Sequence, residues 1–330
     1  VTLYLQHPVL GNKELICTLD NSKAYAGSTH KFAINEETPD FEYIPATSVS
    51  LDKEEITLSL TNSFAALNST ISPANAFEQT VTWSSDNENI VKVNQEGGIV
   101  AYGNGQAIVT VTTEDGNFTA NCTIQVEGNF QTFIPDADSY VYDNQKSSNY
   151  GTSSVVTVRK DGTNYERRGY FRFPIDGLDN INLNTQDVKI TIALYVEAGA
   201  DNVTEVNWQL YPVNNISWDE YTINWNNKPV HSTTLLAEKR CIKPVGTTFN
   251  TANIVEFNLT EYAVSQYTKG AKFISVFFDQ DKRASAGKGT SSFASKEHED
   301  ILRHPRMIVL PTDKPVGYDN IYYDSFKIYH

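Results

Sequence analysis

Residues 82–113 constrain the fold of this chain more than any other stretch. Short runs in which apolar and polar side chains alternate, at 90–93 and 108–113, are separated by glycine turns at 97–98 and 103–105. Side chains of a β-strand point alternately to its two faces, so this alternation predicts strands with one buried face. Turns at intervals of about eight to twelve residues predict a small antiparallel sandwich.

The order of residues in this stretch resembles the bacterial immunoglobulin-like module of group 2. The shared features are Trp83-Ser-Ser, the spacing of Ile90 and Val93, Gly98-Ile-Val-Ala, and Gly105-Gln-Ala-Ile-Val. The resemblance implies a spacer module in a bacterial protein that is secreted or displayed on the cell surface. It also implies that Trp83 belongs to the core of the sandwich and is not a platform for sugar.

Composition predicts an all-β protein of more than one domain. The 330 residues include 18 Tyr and 16 Phe but only one Met, a balance typical of β-strands joined by polar loops. We predict an immunoglobulin-like β-sandwich followed by a jelly-roll β-sandwich of about eight strands, with one short helix near 260–269. The predicted divisions are a short β segment at 1–45, the immunoglobulin-like domain at 46–127, the jelly roll at 129–312 and a β tail at 313–330, with a polar joint at 127–129. The first segment is too short to be stable alone, so we expect it to pack against the tail.

The distribution of charge limits the partners. The formal net charge of −14 argues against nucleic acid, whose binding proteins carry a basic face. Residues 129–312 hold 19 of the 26 Lys and Arg, so only this region is suited to a polyanion. No apolar run is long enough to cross a membrane, and Cys17, Cys122 and Cys241 are too few for a disulfide framework, so we expect buried thiols. The chain starts at Val1 without a signal peptide, which for a secreted protein implies a mature or excised fragment. We expect a monomer or a part of a larger multi-domain chain.

Four stretches of the jelly-roll region, in the same order along the chain, carry a second resemblance. They are 136–141 with 149–152, 156–160 with 167–173, 217–220 with 222–229, and 292–297 with 303–306. Together they resemble the DNRLRE-type carbohydrate-binding domain, a group that includes alginate-binding modules of family 96. The resemblance implies binding of acidic polysaccharide. Lys296 stands where the family has arginine, which keeps the positive charge but loses the planar guanidinium.

Strand alternation also predicts a basic surface in this region. In one predicted strand two phenylalanines fall on the core face, which leaves Arg168, Tyr170 and Arg172 in a row on the opposite face. Arg159 and Lys160 precede this strand, and we expect them on its hairpin partner.

These residues have the chemistry that a uronate chain needs. A guanidinium pairs with a carboxylate through two hydrogen bonds, and an aromatic ring packs on the apolar face of a sugar. Arg159, Lys160, Arg168, Tyr170 and Arg172 are therefore the candidate ligand site, and the family resemblance adds Lys296. The alternative is that the cations form surface salt bridges with Asp161, Glu166 and Glu297, each contributing about 0–1 kcal/mol.

Acidic residues raise two further hypotheses. Asp136 and Asp138 offer the oxygen ligands that Ca²⁺ prefers, so one interpretation is a structural calcium ion, and the other is a solvated turn. No other cofactor is expected. Paired carboxylates act as acid and base in glycosidases, and Asp219-Glu220 lies between Trp218 and Trp225. We favour a structural turn with two core tryptophans here, and we also expect Trp208 to be buried.

The sequence contains none of the motifs expected of a hydrolase, a zinc enzyme or a nucleotide-binding enzyme. The leading hypothesis is therefore an extracellular, non-catalytic protein that binds acidic polysaccharide. A second hypothesis is an accessory region of a secreted polysaccharide lyase or glycoside hydrolase. A third is a structural piece of a cell-surface adhesin that recognises protein.

Overall fold

The computed structural model describes residues 2–7, 11–16, 43–160, 165–181, 186–200, 206–281 and 289–313. Contacts divide the chain into two compact units, Val1–Tyr43 and Ile44–His330. In the first unit, β1 (Thr2–His7) pairs with β2 (Gly11–Ile16) in antiparallel fashion. The predicted packing of residues 1–45 against the tail, and the state of Cys17, lie outside the described residues.

The second unit begins with the immunoglobulin-like sandwich. One sheet contains β4, β11, β10 and β7, and facing it are the pair β3–β6 and the sheet β5–β9–β8. Trp83, Val109 and Ile124 are buried between them, which confirms the predicted sandwich and the core position of Trp83. The glycines at 103–105, predicted as a turn, form the irregular start of β10 instead. The strands are β3 (Ser48–Leu51), β4 (Glu55–Ser59), β5 (Phe64–Ala66), β6 (Ser69–Ser72), β7 (Val81–Ser85), β8 (Val91–Val93), β9 (Gly98–Ala101), β10 (Gly103–Thr113) and β11 (Thr119–Phe133).

The jelly-roll sandwich follows, as the strand pattern predicted. Its first sheet has the order β12–β14–β19–β16–β17, and its second has the order β13–β20–β15–β21 with β18 also paired to β15. The core between the sheets is rich in aromatic side chains, among them Phe171, Phe173 and Trp208. The elements are β12 (Ala137–Tyr142), β13 (Val155–Val158), β14 (Arg167–Pro174), β15 (Gln186–Ala198), β16 (Asn207–Pro212), β17 (Ala237–Arg240), β18 (Ile254–Asn258), α1 (Thr260–Thr268), β19 (Phe273–Gln280), β20 (Ser291–Ala294) and β21 (Arg306–Asp313).

Strand β11 belongs to both sandwiches. Its first part pairs with β10 of the immunoglobulin-like module, and Gln131–Phe133 pair with Val309–Met307 of β21. Gly128 lies between the two parts with a φ of +98°, which favours glycine because a Cβ is disfavoured there. Residues 127–129, predicted as a polar joint, therefore lie inside a strand that runs from one sandwich into the other.

The predicted hairpin of β13 and β14 is wrong. β13 pairs with β20, whereas β14 pairs with β12 and β19 in the opposite sheet. The two strands meet only at a single antiparallel bridge between Arg159 and Arg167. The reason is that Val156 and Val158 of β13 pack into the core from the sheet that faces β14.

Two expectations concern membranes and thiols. Among the described residues, no helix is long and apolar enough to cross a membrane. Cys122 and Cys241 are buried and not disulfide-bonded, as expected. Trp208 and Trp218 are buried as well.

Candidate functional site

Three of the six predicted ligand residues lie on the outer face of the first jelly-roll sheet, and the other three follow strands of the second sheet. As alternation predicted, Phe171 and Phe173 point into the main core, and Arg168, Tyr170 and Arg172 point the opposite way. That opposite face is not an open surface, however. Residues 213–236, the cover segment, cross it and form a second apolar cluster that contains Tyr170, Phe277, Trp218 and Ile223.

Tyr170 is fully buried beneath the cover segment. Its ring packs against Trp218 and Phe277, with centroid distances of 6.1 and 5.6 Å. Burial raises the pKa of its hydroxyl above the ordinary value. Tyr170 therefore serves as a packing residue between the sheet and the cover segment, in a position that no sugar ring can reach.

Arg172 is held by an internal acid and by the cover segment. Its guanidinium donates to both carboxylate oxygens of Asp136, with the shortest distance 2.7 Å from Nη2 to Oδ2. Nη1 donates to the carbonyl oxygens of Ile216 (2.8 Å) and Trp218 (2.6 Å). The structure thus places Arg172 in a closed network, and Asp136, a predicted calcium ligand, is its paired carboxylate.

Lys296 lies in a compact group of charges, named here the Lys296 cluster, with Asp138, Glu220 and Glu297. The three carboxylates have ligand oxygens within 4.8 Å of one another. The Lys296 ammonium is 2.9 Å from Glu220 Oε2 and also contacts Glu297. The Asp138 amide donates to Glu220 (2.8 Å), and the Lys296 amide donates to Asp138 Oδ2 (2.8 Å). Residues far apart in sequence are therefore joined in one network.

Burial controls the protonation of this cluster. It raises the pKa of Asp138 well above its ordinary value, despite the hydrogen bond from the Lys296 amide, and it raises the pKa of Glu220 as well. Burial alone would lower the pKa of Lys296, but hydrogen bonds to Glu297 and Glu220 outweigh it and raise that pKa. The cluster is therefore arranged around a charged lysine and at least one carboxyl group that tends to stay protonated.

The Lys296 cluster also bears on the calcium hypothesis. Three carboxylates that converge within a few ångströms are a donor set that suits Ca²⁺. The Lys296 ammonium already contacts two of them, so a calcium ion would have to displace it. Calcium binding stays a prediction, with Asp138 and not Asp136 in the converging set.

The other end of the same sheet face is open, and it carries a cation–aromatic patch formed by Arg168, Trp225 and Lys228. The ring of Trp225 is half-buried. The Arg168 guanidinium lies 4.8 Å from the centroid of this ring, and the Lys228 ammonium lies 4.0 Å from it. Arg168 pairs with Glu166 at 3.0 Å, and 28% of its side chain remains exposed. Burial, and then the charge of Arg168, lower the pKa of Lys228. The patch thus brings two cations close together, with Glu166 paired to Arg168 and Asp279 nearby.

Lys160 and Arg159 lie at the edge of this patch. Lys160 is 43% exposed, and its ammonium is 3.8 Å from Asp279, which neighbours Arg168 across the sheet. Arg159 lies over the exposed ring of Tyr165 at 5.5 Å. The structure therefore brings Arg159, Lys160 and Arg168 to one end of the face and leaves Arg172 and Lys296 in closed networks elsewhere.

Sequence reasoning missed Trp225 and Lys228 as members of the patch. The sequence predicts both Trp218 and Trp225 in the core, but of these two only Trp218 is fully buried. The signal that could have found them is the run Trp225-Asn-Asn-Lys228, which puts an aromatic and a cation three residues apart in a polar turn. The Asp219-Glu220 pair shows no arrangement for acid–base catalysis, since Glu220 is buried and bound to Lys296.

Two family models match the chain. The model for carbohydrate-binding module family 96 matches residues 129–309, and the model for the bacterial Ig-like domain of group 2 matches residues 45–124. These matches confirm both family resemblances and the order of the two modules.

Similar proteins are known, and the chain covers only part of each. An uncharacterised protein of Clostridium acetobutylicum is 34% identical over 36% of this chain and 30% of its own length. An alpha-L-arabinofuranosidase of Bifidobacterium longum is 38% identical over 18% of this chain and 6% of its own length. Among solved structures, SGBP-B from a complex xyloglucan utilization locus in Bacteroides uniformis aligns at 10% identity over 80% of this chain and 73% of that one, with a TM-score of 0.26.

Proposed function

Because the chain belongs to carbohydrate-binding module family 96, we propose that it binds an acidic, uronate-containing polysaccharide outside the cell, at the cation–aromatic patch. Residues 129–309, more than half of the chain, form the carbohydrate-binding module, and an immunoglobulin-like module precedes it. Both are non-catalytic kinds of domain. The acidic preference and the position of the site are the parts that we propose.

One observation supports the site above all: two cations, Arg168 and Lys228, lie close to the partly buried ring of Trp225. The ring of Trp225 can pack on the apolar face of a sugar, while Arg168 and Lys228 are placed for the carboxylates of that sugar or its neighbour. Lys160 extends the positive surface along the same edge. Of the six residues predicted from sequence, this proposal retains Arg159, Lys160 and Arg168.

Affinity electrophoresis in gels that contain alginate, polygalacturonate or a neutral glucan tests the proposal. We expect Trp225→Ala to weaken retardation by alginate or polygalacturonate about 30-fold or more, as for a central aromatic contact worth about 2 kcal/mol. Lys228→Met should weaken it less and should also reduce its salt dependence, because one screened ion pair is lost. Lys272→Met, which removes an exposed lysine paired with Asp179, is the matched control.

The outcomes separate the two parts of the proposal. Equal retardation of wild type and both patch variants would refute the site. Equal retardation by the neutral glucan and the acidic polymers would refute the acidic preference while leaving carbohydrate binding in place.

A second candidate function is an accessory role beside a catalytic domain on a longer chain. The similarity to part of an alpha-L-arabinofuranosidase and the short share of each curated relative that is covered support it. This chain alone should then release no reducing ends from any polymer it binds, as measured by a reducing-sugar assay. Turnover by the isolated chain would contradict a purely accessory role.

A further inference from the structure

The immunoglobulin-like module covers the outer face of the second jelly-roll sheet. On β21, Met307 and Val309 point into the jelly-roll core, so Arg306, Ile308 and Leu310 point outward. Side chains of the immunoglobulin-like module lie over this outer face. Together they border a partly open cavity of about 110 Å³ that is lined from one side by Leu60, Ser63, Phe64, Ala101, Phe130 and Thr132, and from the other by β15, β18 and β21.

Arg306 is the unusual member of this lining. Only 5% of the residue is exposed, yet its Nε and Nη1 atoms have no hydrogen-bond acceptor among the described residues. The guanidinium lies 4.5 Å from the ring of Phe64, an attractive contact that satisfies none of its N–H groups. An arginine keeps its charge at any ordinary pH. The carboxylate of Glu256 acts on this buried cation, but it forms no salt bridge with it among the described residues. Such a group is costly unless an anion pairs with it.

Tyr102 presents a second buried donor nearby. Its hydroxyl is also buried without a hydrogen-bond partner in the described part of the chain. Tyr102 packs in one cluster with Phe64, whose ring contacts the Arg306 guanidinium. Burial raises the pKa of Tyr102 and lowers the pKa of Arg306. Two kinds of donor, N–H and O–H, are thus buried near the junction without a hydrogen-bond partner among the described residues.

We propose that the cavity between the two modules binds a small monovalent anion, either chloride or a short carboxylate, with Arg306 as its main ligand. The volume holds such an ion with a few water molecules and is too small for a sugar chain. Water alone would satisfy the donors and leave the charge of Arg306 unbalanced. This site is separate from the cation–aromatic patch, and it does not depend on the proposed glycan.

Glu256 is the competing source of negative charge. It lines the same cavity, and both Glu256 and Arg306 flank Ala193 in the sheet register. The Glu256 side chain is exposed, and no ion pair joins it to Arg306 in the structure. A rearranged Glu256 would make an external anion unnecessary, so the test must distinguish the two.

Thermal unfolding of the whole chain in different sodium salts provides the test. Ionic strength is held constant with sodium gluconate, whose anion is too bulky for the cavity, while chloride or acetate replaces it stepwise. We expect the Tm of wild type to rise by about 3 °C and to saturate, because the anion binds only the folded state. Arg306→Met should abolish that rise and should unfold above wild type in gluconate, since it removes an unpaired buried cation. Lys189→Met, which removes an exposed lysine of the same lining, should keep the rise.

Each contrary result would overturn the proposal. An equal rise in wild type and Arg306→Met would mean a general salt effect, and no rise in wild type would mean no site. A rise that appears only in Glu256→Gln would show that Glu256 fills the cavity in the native protein. If Arg306→Met fails to fold, bromide-soaked crystals of wild type decide the matter. An anomalous peak beside the Arg306 guanidinium supports the site, and its absence rejects it.

Discussion

The two ends of the outer face of β14 carry the same kinds of residue and use them in opposite ways. At the closed end, Arg172 on β14, and Lys296 in the neighbouring cluster beside the edge strand β12, are each bound by internal carboxylates. At the open end, Arg168 and Lys228 approach the ring of Trp225, and Arg168 forms one partly exposed ion pair, with Glu166, among the described residues. Whether a cation serves the fold or a ligand therefore depends on which acids the fold brings to it.

The cover segment produces this difference. Near Arg172 it supplies the carbonyl groups of Ile216 and Trp218 as well as the carboxylate of Glu220 in the Lys296 cluster. Near Arg168 it supplies an aromatic ring and another cation. Because Arg168 and Arg172 are four residues apart on one strand, about 13 Å separates the two environments.

Removing the Lys296 ammonium at the closed end should have the largest effect on stability. Lys296→Met leaves the carboxylates of Glu220 and Glu297 without their ammonium partner. Breaking a buried ion pair in this way leaves an uncompensated charge, so we expect a loss of about 3 kcal/mol in the free energy of unfolding. Urea unfolding followed by fluorescence measures this loss.

Lys228→Met is the matched change at the open end. Burial already disfavours the charge of Lys228, so its removal should alter the free energy of unfolding by only about 0–1 kcal/mol. A loss for Lys228→Met as large as that for Lys296→Met would remove the distinction between the two ends.

Replacing arginine by lysine should also distinguish the two ends, with a smaller loss in the free energy of unfolding than Lys296→Met. Arg172→Lys keeps the charge but loses the two-pronged contact with Asp136 and at least one hydrogen bond to the cover segment. We expect it to lower the free energy of unfolding by about 2 kcal/mol. Arg168→Lys weakens a single partly exposed ion pair with Glu166, so we expect it to lower the free energy of unfolding by about 0–1 kcal/mol. Equal losses in urea unfolding would contradict the assignment of Arg172 to the fold.

Local pattern was enough to predict most of the architecture. Alternation placed Phe171 and Phe173 in the core and the row with Arg168 and Arg172 opposite them. Alternation also located most strands of the jelly roll, and helical spacing of apolar residues located α1. The short strands β17 and β20 were missed because neither has a clear alternating run of its own.

Long-range contacts could not be predicted in the same way. Asp136 and Arg172 are 36 residues apart in sequence, and Glu220 and Lys296 are further apart. The local sequence around each residue therefore does not indicate its partner. The polar sequence of the cover segment also hides its role, since only a few apolar side chains, such as Trp218 and Ile223, hold it on the sheet. The prediction that Arg168, Tyr170 and Arg172 share one face was therefore correct. Which of them are exposed depends on the cover segment, whose position the sequence does not reveal.

The pH dependence of stability provides the smallest expected effect and tests the protonation of the closed end. Burial raises the pKa of Asp138, so the folded protein retains a proton that the unfolded chain releases above about pH 4. The unfolded state then binds fewer protons, and stability falls as pH rises from there through the folded pKa of Asp138. Asp138→Asn cannot ionise, and its side-chain oxygen can still accept from the Lys296 amide. Relative to wild type, it should therefore become more stable as the pH of urea unfolding rises from 4 to 8. Asp219→Asn, at an exposed site, should keep the wild-type slope, and the same slope in Asp138→Asn would show that Asp138 is ionised throughout.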